Sequence, residues 1–269
     1  MEWWQAVILA IVQGLTEFLP ISSSGHLVLA PHFLGWTDQG LAFDVAVHIG
    51  TLVAVLAYFR KEFVPLAVGL RRYLGGARDD AYGALALNLV VATIPVGLCG
   101  LLGAEYIENH LRSPFVVAFQ LSVFGVLMWY VDRRFRRDRN EFEVGLLGAL
   151  AIGIGQAISL VPGTSRSGIT MTTAMLLGLS RESAARFAFL LAVPGIAAAG
   201  AYEGWKFAQG LTSSHVPLGE MLIGVSVSAV VGYACIHYFL RFIARIGFAP
   251  FMWYRLALAA VVLAVFWPR

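Results

Sequence analysis

Charged residues and cysteines are both scarce in this sequence. Only 13% of its 269 residues are charged, whereas 59% are hydrophobic and the mean hydropathy is +0.76. So low a charge content excludes an ordinary soluble globular protein. The two cysteines, Cys99 and Cys235, lie in apolar stretches without CxxC or Cys/His spacing, so neither a disulfide framework nor a zinc site is indicated. The composition predicts a polytopic membrane protein in which both cysteines are packing residues.

Long apolar stretches fill most of the chain. Six of them can cross about 30 Å of hydrocarbon, and they cover residues 43–59, 84–103, 114–131, 186–202, 219–240 and 253–267. The stretches 3–19 and 144–161 are also apolar, but each runs into proline and a Gly/Ser-rich segment. The bilayer core tolerates non-helical backbone only where protein or a water-filled cavity satisfies it, so we predict a re-entrant helix pair at both places. No basic segment precedes the first pair, and a cleavable signal peptide is not evident.

One motif occurs twice, once in each half of the chain. The windows IVQGLTEFLPISSSGH from Ile11 and IGQAISLVPGTSRSGI from Ile154 align without a gap. The pairs that agree are Gln13 with Gln156, Thr16 with Ser159, Ser22 with Ser165, Ser24 with Ser167 and Gly25 with Gly168. The pairs that differ in chemistry are Glu17 with Leu160, Ser23 with Arg166 and His26 with Ile169. Interrupted segments at matching positions of two halves are typical of inverted-repeat membrane proteins and indicate a binding site.

Basic residues concentrate in two connections between predicted spans. They are Arg60, Lys61, Arg71, Arg72 and Arg78 in one connection, and Arg133, Arg134, Arg136, Arg137 and Arg139 in the other. The positive-inside rule makes both connections cytoplasmic, whereas the connections at 105–112 and 203–215 carry one basic residue each and belong outside. These arginines flank apolar spans, so anionic lipid headgroups are expected as their partners and nucleic acid is not.

This orientation sets the predicted domain organisation. Both termini lie outside and each half contributes three spans, so the repeats 1–143 and 144–269 are inverted relative to each other within one membrane domain. The first re-entrant pair enters from outside and the second from the cytoplasm. The predicted fold class is therefore an all-α polytopic membrane protein of two inverted repeats, each with a re-entrant helix pair and three transmembrane helices.

Polar residues of the first motif are expected to face a cavity. Gln13 and Glu17 are four residues apart and share one helix face. An ionised carboxylate at membrane depth costs about 2.5–3.5 kcal/mol, so Glu17 should face a polar cavity or a cation. The alternative is a helix-end residue near the surface. His26 could pass a proton near neutral pH or be a packing histidine. His48 and Asp44 could line the same cavity, but roles in packing or at headgroup level stay open.

The second motif points to an anion. Arg166 needs an anionic partner in its apolar setting, and Gly163 and Gly168 would let backbone amides approach a ligand closely. The helix after each tip would direct its N-terminal amides to the same place. The planar arginine fork matches phosphate oxygens. The serine row 22–24 could also be only a turn, but beside the second motif it favours a phosphate site.

The motifs resemble those of the bacterial undecaprenyl-diphosphate phosphatase family, whose members are also called bacitracin-resistance proteins. The family shows (E/Q)xxxE, a serine-rich turn ending in GH and a later PGxSRSG. Here these are Gln13 to Glu17, Ser22 to His26 and Pro162 to Gly168, and FDVAVHIGTLVAV at 43–55 also matches. The resemblance covers essentially the whole chain. Gln13 replaces the first glutamate of many members, so joint metal binding by two carboxylates is not expected.

The resemblance implies a membrane hydrolase that removes one phosphate from the undecaprenyl diphosphate carrier and regenerates the monophosphate for peptidoglycan synthesis. It implies catalytic roles for Glu17, Ser23 as nucleophile, His26 and Arg166. A divalent cation, Mg²⁺ or Ca²⁺, is implied near Glu17 and Gln13. It also implies bacitracin tolerance, because the drug competes for the same diphosphate. The substrate-binding residues expected beside these are Gln13, Ser22, Ser24, Gly25, Thr164, Ser165, Ser167 and Gly168.

An inverted-repeat transporter or flippase for a polyprenyl phosphate or another anion is the alternative function. Such a protein would use the same arginine and helix N-termini. It would not need serine, histidine and glutamate concentrated in one repeat, and that asymmetry favours an enzyme. The expected location is the bacterial inner membrane with the site open to the periplasm. The sequence leaves the oligomeric state open, a homodimer included.

Overall fold

The computed structural model of the chain describes residues 1–111, 113–135, 138–209 and 216–266. Over these ranges the chain forms α-helices, one 3-10 helix at Glu141–Glu143 and an isolated β-bridge between Arg139 and Leu179. The α-helices are α1 Trp3–Thr16, α2 Ser23–Leu34, α3 Gly40–Tyr58, α4 Arg60–Leu74, α5 Ala81–His110, α6 Pro114–Arg134, α7 Gly145–Ile158, α8 Arg166–Leu176, α9 Arg181–Ala208, α10 Leu218–Ile246 and α11 Ala249–Phe266. Residues named in the sequence arguments but lying outside the described ranges are Arg112, Arg136, Arg137, His215 and Trp267.

Within the described ranges, six helices are long and apolar enough to cross a membrane: α3, α5, α6, α9, α10 and α11. They coincide with the six stretches predicted from hydropathy, so the predicted all-α polytopic membrane fold is confirmed. The short apolar helices α1 and α7 fall where the two re-entrant pairs were predicted. The long apolar stretches of the sequence therefore predicted the positions of these six helices.

The basic connection after α3 contains a helix that the sequence argument treated only as a connection. This helix, α4, carries Arg60, Lys61, Arg71 and Arg72. Phe63, Leu66 and Leu70 pack against the core, and their spacing of three and four residues gives one apolar stripe on an otherwise basic helix. The connection is therefore an amphipathic helix held against the body of the protein, chiefly by α5.

Each short helix pair forms a hairpin whose tip is not helical. We call residues 17–22 the first tip, between α1 and α2, and residues 159–165 the second tip, between α7 and α8. The aligned serines Ser22 and Ser165 end these tips with φ of 76° and 72°, and they are the two positive-φ residues other than glycine in the described chain. Each caps the next helix by accepting from the amide of the aligned glycine, Gly25 or Gly168. The two motifs thus adopt the same local structure.

The hairpins start from opposite ends of the helix bundle. At one end, Trp4 of α1 contacts Trp36, which follows α2, with ring centroids 5.2 Å apart. At the other end, which leads into α7, Arg186 binds both Glu62 and Glu141 at 2.6 Å. The long helix α3 connects the Trp36 end with the Glu62 end, so the two hairpins begin near opposite ends of this helix.

The two halves of the sequence are packed into one body. The short helix α1 lies against α10, α7 lies against α5, and α6 lies against α11. Glycines permit the close approaches: a Cβ on Gly14 would lie 2.8 Å from Val231 of α10, and one on Gly153 would lie 2.5 Å from the Ala92 carbonyl oxygen of α5. Each hairpin is therefore supported by a long helix from the other half.

Candidate active site

Glu17 follows α1 directly at the first tip and is only 6% exposed. Its Oε2 accepts hydrogen bonds from Gln13 Nε2 at 3.0 Å and from Ser23 Oγ at 2.6 Å. Its Oε1 accepts a hydrogen bond from Arg166 Nη2. The carboxylate is thus buried but surrounded by donors, as its expected cost in an apolar setting requires.

Arg166 comes from the second hairpin, where it is the first residue of α8. Glu17 is its carboxylate partner, so the anionic partner that the sequence required for Arg166 is supplied by the other repeat. A second link joins the tips, because Ser167 Oγ donates to the Leu19 carbonyl oxygen at 3.3 Å. The two motifs therefore meet directly inside the protein.

His48, on α3, also stands beside Glu17. Its Nε2 lies 3.4 Å from Glu17 Oε2, and its Nδ1 is 2.7 Å from the Asp44 carbonyl oxygen. A carbonyl oxygen only accepts, so the Nδ1 atom carries a proton. The sequence left two roles open for His48 and for Asp44. Both residues line the cavity described below.

His26 lies apart from this cluster. Its Nδ1 is 2.7 Å from the Ser22 carbonyl oxygen, and its Nε2 is 2.7 Å from the hydroxyl of Tyr254, on α11. Since the carbonyl fixes Nδ1 as a donor, Nε2 of the neutral ring accepts from Tyr254. Both ring nitrogens are engaged, and no hydrogen bond between the described residues joins His26 to Ser23 or Glu17. The geometry connects this imidazole to α11 rather than to the serine.

The residues expected to bind substrate fall into two groups. Ser24 and Ser165 line the cavity with Ser23 and Arg166. The others shape the tips: Ser22, Gly25 and Gly168 form the helix caps, Gln13 and Ser167 bond to the first tip, and Thr164 accepts from Gln120 Nε2 and donates to the Val161 carbonyl oxygen. Of the expected residues, Ser24 and Ser165 are therefore those that line the cavity wall.

A cavity of about 380 Å³ opens next to the meeting point of the tips. Its polar lining residues are Glu17, Ser23, Ser24, Asp44, His48, Gln156, Ser159, Ser165 and Arg166. The rest of the wall is apolar and includes Leu27, Val28, Leu41, Val45, Val96 and Ile196. Ser23 and Arg166 begin α2 and α8, so two helix N-termini, which favour anions, border the same space. The cavity suits an amphiphile with an anionic head.

Arg255, on α11, holds the two tips together and was missed by the sequence argument. Its side chain is fully buried and donates to the carbonyl oxygens of Pro20 in the first tip and of Gly163 and Thr164 in the second. It also donates to carbonyl oxygens of α6, at Gln120 and Leu121. The available signal was an arginine inside a predicted span, which requires partners at membrane depth.

A divalent cation was expected near Glu17 and Gln13. Across the described ranges no group of three or more His, Cys, Asp or Glu residues could hold a metal ion. Yet Gln13 Oε1 is buried without a hydrogen-bond partner among those residues, next to the Glu17 carboxylate that its Nε2 contacts. Mg²⁺ is commonly held by one or two carboxylates together with substrate phosphates. The residues thus fit a cation that arrives with a phosphate ligand.

Comparisons with known proteins find relatives that match over nearly the whole chain. Residues 6–261 match the family model described as bacitracin resistance protein BacA. A Saccharophagus degradans protein named undecaprenyl-diphosphatase is 51% identical over 267 residues, covering 99% of both chains. Proteins of the same name from Teredinibacter turnerae, 48% identical over 97% of this chain and 98% of the relative, and Hahella chejuensis, 50% identical over 98% of both chains, are similarly close. With two hairpin motifs that meet in one cavity and a family match over nearly its whole length, the chain belongs to the BacA family of bacitracin-resistance proteins.

Proposed function

We propose that this chain is an undecaprenyl-diphosphatase, a membrane enzyme that hydrolyses undecaprenyl diphosphate to undecaprenyl phosphate and inorganic phosphate. The relatives' shared name supports the substrate. One observation carries the chemistry: Ser23 Oγ donates to Glu17 Oε2 at 2.6 Å while Arg166 contacts the other oxygen of the same carboxylate. A hydroxyl bonded to a base and placed beside an arginine is the arrangement that phosphoryl transfer needs.

The proposed reaction begins at Ser23. Its Oγ attacks the terminal phosphorus as its proton passes to Glu17, and the bridging P–O bond breaks with its electron pair leaving on undecaprenyl phosphate. Water then hydrolyses the phosphoserine and releases inorganic phosphate. The 2.6 Å hydrogen bond favours Glu17 as the base over His26, whose ring nitrogens bond to Ser22 and Tyr254. Direct attack by water, with Glu17 as the base, is the competing route.

Arg166 neutralises charge in this proposal. Phosphoryl transfer passes through a loose transition state in which charge spreads over the equatorial oxygens, so positioning and neutralisation dominate the rate. The side chain is held by Glu17 and borders the cavity. It can therefore turn one of its donors to a phosphoryl oxygen without leaving the carboxylate, since a guanidinium has five N–H donors.

We propose that a divalent cation, Mg²⁺ or Ca²⁺, is held by Glu17 and the free amide oxygen of Gln13. When bound, it would offset the negative charge of the diphosphate. The unpartnered Gln13 Oε1 supports this assignment.

The proposed orientation places the first tip toward the periplasm of the bacterial inner membrane. The start of α1 and Trp36 share one end of the bundle, and the basic helix α4 joins the opposite end through the Arg186–Glu62 pair. This separation supports the proposal that the two repeats are inverted and that the basic connections lie on the cytoplasmic side. The isoprenoid tail would leave through the apolar part of the cavity wall.

Consumption of the diphosphate would also explain the family name. Bacitracin competes for undecaprenyl diphosphate, and an enzyme that lowers its amount removes the drug's target. The recycled monophosphate would return to peptidoglycan synthesis.

Phosphate release from undecaprenyl diphosphate by the purified protein in detergent tests the function, with and without EDTA. We expect EDTA-sensitive release from the wild type, and loss of release in Glu17→Ala and in Arg166→Ala. A folded wild type that releases no phosphate would contradict the hydrolase and favour a flippase built on the same inverted hairpins.

A further inference from the structure

Gln156 is a buried glutamine without a use in the mechanism above. It lies on α7, close to the second tip, and is 1% exposed. Its side chain lines the cavity. Within the part of the chain that the structure describes, its Nε2 atom has no hydrogen-bond partner. Buried polar groups in folded proteins are nearly always paired, so an unpaired amide on a cavity wall points to a ligand.

The aligned glutamine of the first motif explains why this amide is free. Gln13 donates from its Nε2 to Glu17, four residues later and one turn away on the same helix face. Four residues after Gln156 the chain has Leu160 instead, which offers no acceptor. The second motif therefore keeps the amide without the acceptor that the first motif provides, and no other described residue accepts from Gln156 Nε2. This points to an acceptor on a bound ligand.

The surroundings decide what that acceptor is. Gln156 shares the cavity with Arg166 and with the N-termini of α2 and α8, all of which favour negative charge. A neutral amide donor adds a directed hydrogen bond there without adding charge. The acceptor that this set fits is a phosphoryl oxygen.

We infer that Gln156 is a substrate-binding residue that donates a hydrogen bond to a phosphoryl oxygen of the bound diphosphate. The identity of the ligand rests on the proposed function, whereas the need for an anionic acceptor rests on the cavity alone. The first hairpin contributes Ser23 and Glu17 to the head group, and the second contributes Arg166 and Gln156. Both repeats thus recognise one diphosphate.

Among the described residues, the hydrogen bonds of Ser23 and Glu17 do not include Gln156, so its loss should not alter the chemical step directly. Its hydrogen bond can form before the reaction and persist through it, so its loss should raise KM and leave kcat close to the wild-type value. If Gln156 had a purely structural role, its substitution would instead lower the folding stability.

Two substitutions and one control test this inference. Gln156→Met keeps the length of the side chain without the donor, and Gln156→Glu keeps the shape but replaces the donor with a negative acceptor. Thr170→Val is the matched control, because Thr170 Oγ1 is also buried without a partner among the described residues but the residue does not line the cavity. The readouts are KM and kcat for undecaprenyl diphosphate, the Kd of methylenediphosphonate, whose bridging carbon resists hydrolysis, and the Tm of the ligand-free protein.

We expect KM and Kd to rise about tenfold or more in Gln156→Met, as for a lost hydrogen bond to a charged group, and further in Gln156→Glu through repulsion. The Tm of Gln156→Met should not fall, because an unpaired buried donor has been removed. Thr170→Val should leave KM and Kd unchanged.

Unchanged KM and Kd in both Gln156 variants would overturn the inference. A lower Tm of Gln156→Met would also overturn it if Thr170→Val lost as much affinity as Gln156→Met. Binding of methylenediphosphonate separates this result from the fate of the proposed function. If the wild type binds the analogue but releases no phosphate from undecaprenyl diphosphate, the phosphatase proposal fails while the Kd series still decides the role of Gln156.

Discussion

Glu17 and Arg166, 149 residues apart in the sequence, form an ion pair where the two hairpin tips meet. Each residue supplies what the other repeat lacks: Leu160 stands at the position of Glu17 in the second motif, and Ser23 stands at the position of Arg166 in the first. Two copies of one local structure have thus diverged into complementary halves of one site. This division makes the contributions of the two repeats separable by substitution.

Replacement of Arg166 should remove most of the activity. Arginine clamps on transferring phosphoryl groups contribute about a thousandfold or more to kcat. The kcat of Arg166→Ala should therefore be lower than that of the wild type by at least this factor. The kcat of Arg166→Lys should lie between those of the wild type and Arg166→Ala, because lysine keeps the charge but loses the planar donor fork. The measurement is kcat on undecaprenyl diphosphate beside a thermal melt. Near-full turnover by a folded Arg166→Ala would refute the role.

Ser23 is predicted to carry the phosphoryl group. A short incubation with diphosphate labelled at the terminal phosphorus, followed by acid quenching, should trap a phosphoserine in the wild type and none in Ser23→Ala. Ser24→Ala is the matched control, since Ser24 also lines the cavity but has no hydrogen bond to Glu17 among the described contacts. Full activity in Ser23→Ala would instead identify water as the attacking group.

Arg255 is predicted to act through structure. Arg255→Met removes the side-chain donor shared by five carbonyl oxygens in both tips and α6, and a loss of about 3 kcal/mol or more in the free energy of unfolding is expected. Arg255→Lys should recover part of it. Thermal melts in detergent measure the effect. If Arg255→Met had the same Tm as the wild type, this role would be contradicted.

The contact of His26 with Tyr254 predicts a modest effect for the tyrosine hydroxyl. Tyr254→Phe removes one hydrogen bond and should cost about 1 kcal/mol of stability, with kcat close to the wild-type value. If His26 instead acted on Ser23, loss of the hydroxyl that orients its ring would lower kcat strongly. Parallel melts and rate measurements distinguish the two roles.

The orientation in the membrane can be tested at the two ends of the bundle. In a background with Cys99→Ala and Cys235→Ala, Thr37→Cys should react with an impermeant maleimide added to intact spheroplasts, and Asp79→Cys should react only after lysis. Both native residues are exposed. The reverse pattern would invert the proposed topology and place the first tip toward the cytoplasm.

Much of the site was predictable because a polar group in an apolar segment has few explanations. Glu17, Ser23 and Arg166 stood out on that ground, and all three line the cavity. Gln156 was visible as the partner of Gln13 in the alignment, and Leu160 showed that its own helix offers no acceptor four residues later. That no other described residue supplies an acceptor depends on how α7 packs, which the sequence does not show. The contact of His26 with Tyr254 could not be predicted either, because the two residues lie 228 positions apart in the sequence.

The sequence by itself determined the six long membrane helices and the two hairpins, since hydrocarbon favours long apolar helices and a Gly/Ser-rich break in one must be satisfied by protein or water. It also predicted that the hairpin tips carry the chemistry. Only the tertiary structure decided that the tips meet, that Arg255 bridges them and that His48 joins Glu17 while His26 turns to α11. Those contacts join residues far apart in the chain, and their distances depend on how α1 packs on α10 and α7 on α5, which no local pattern specifies.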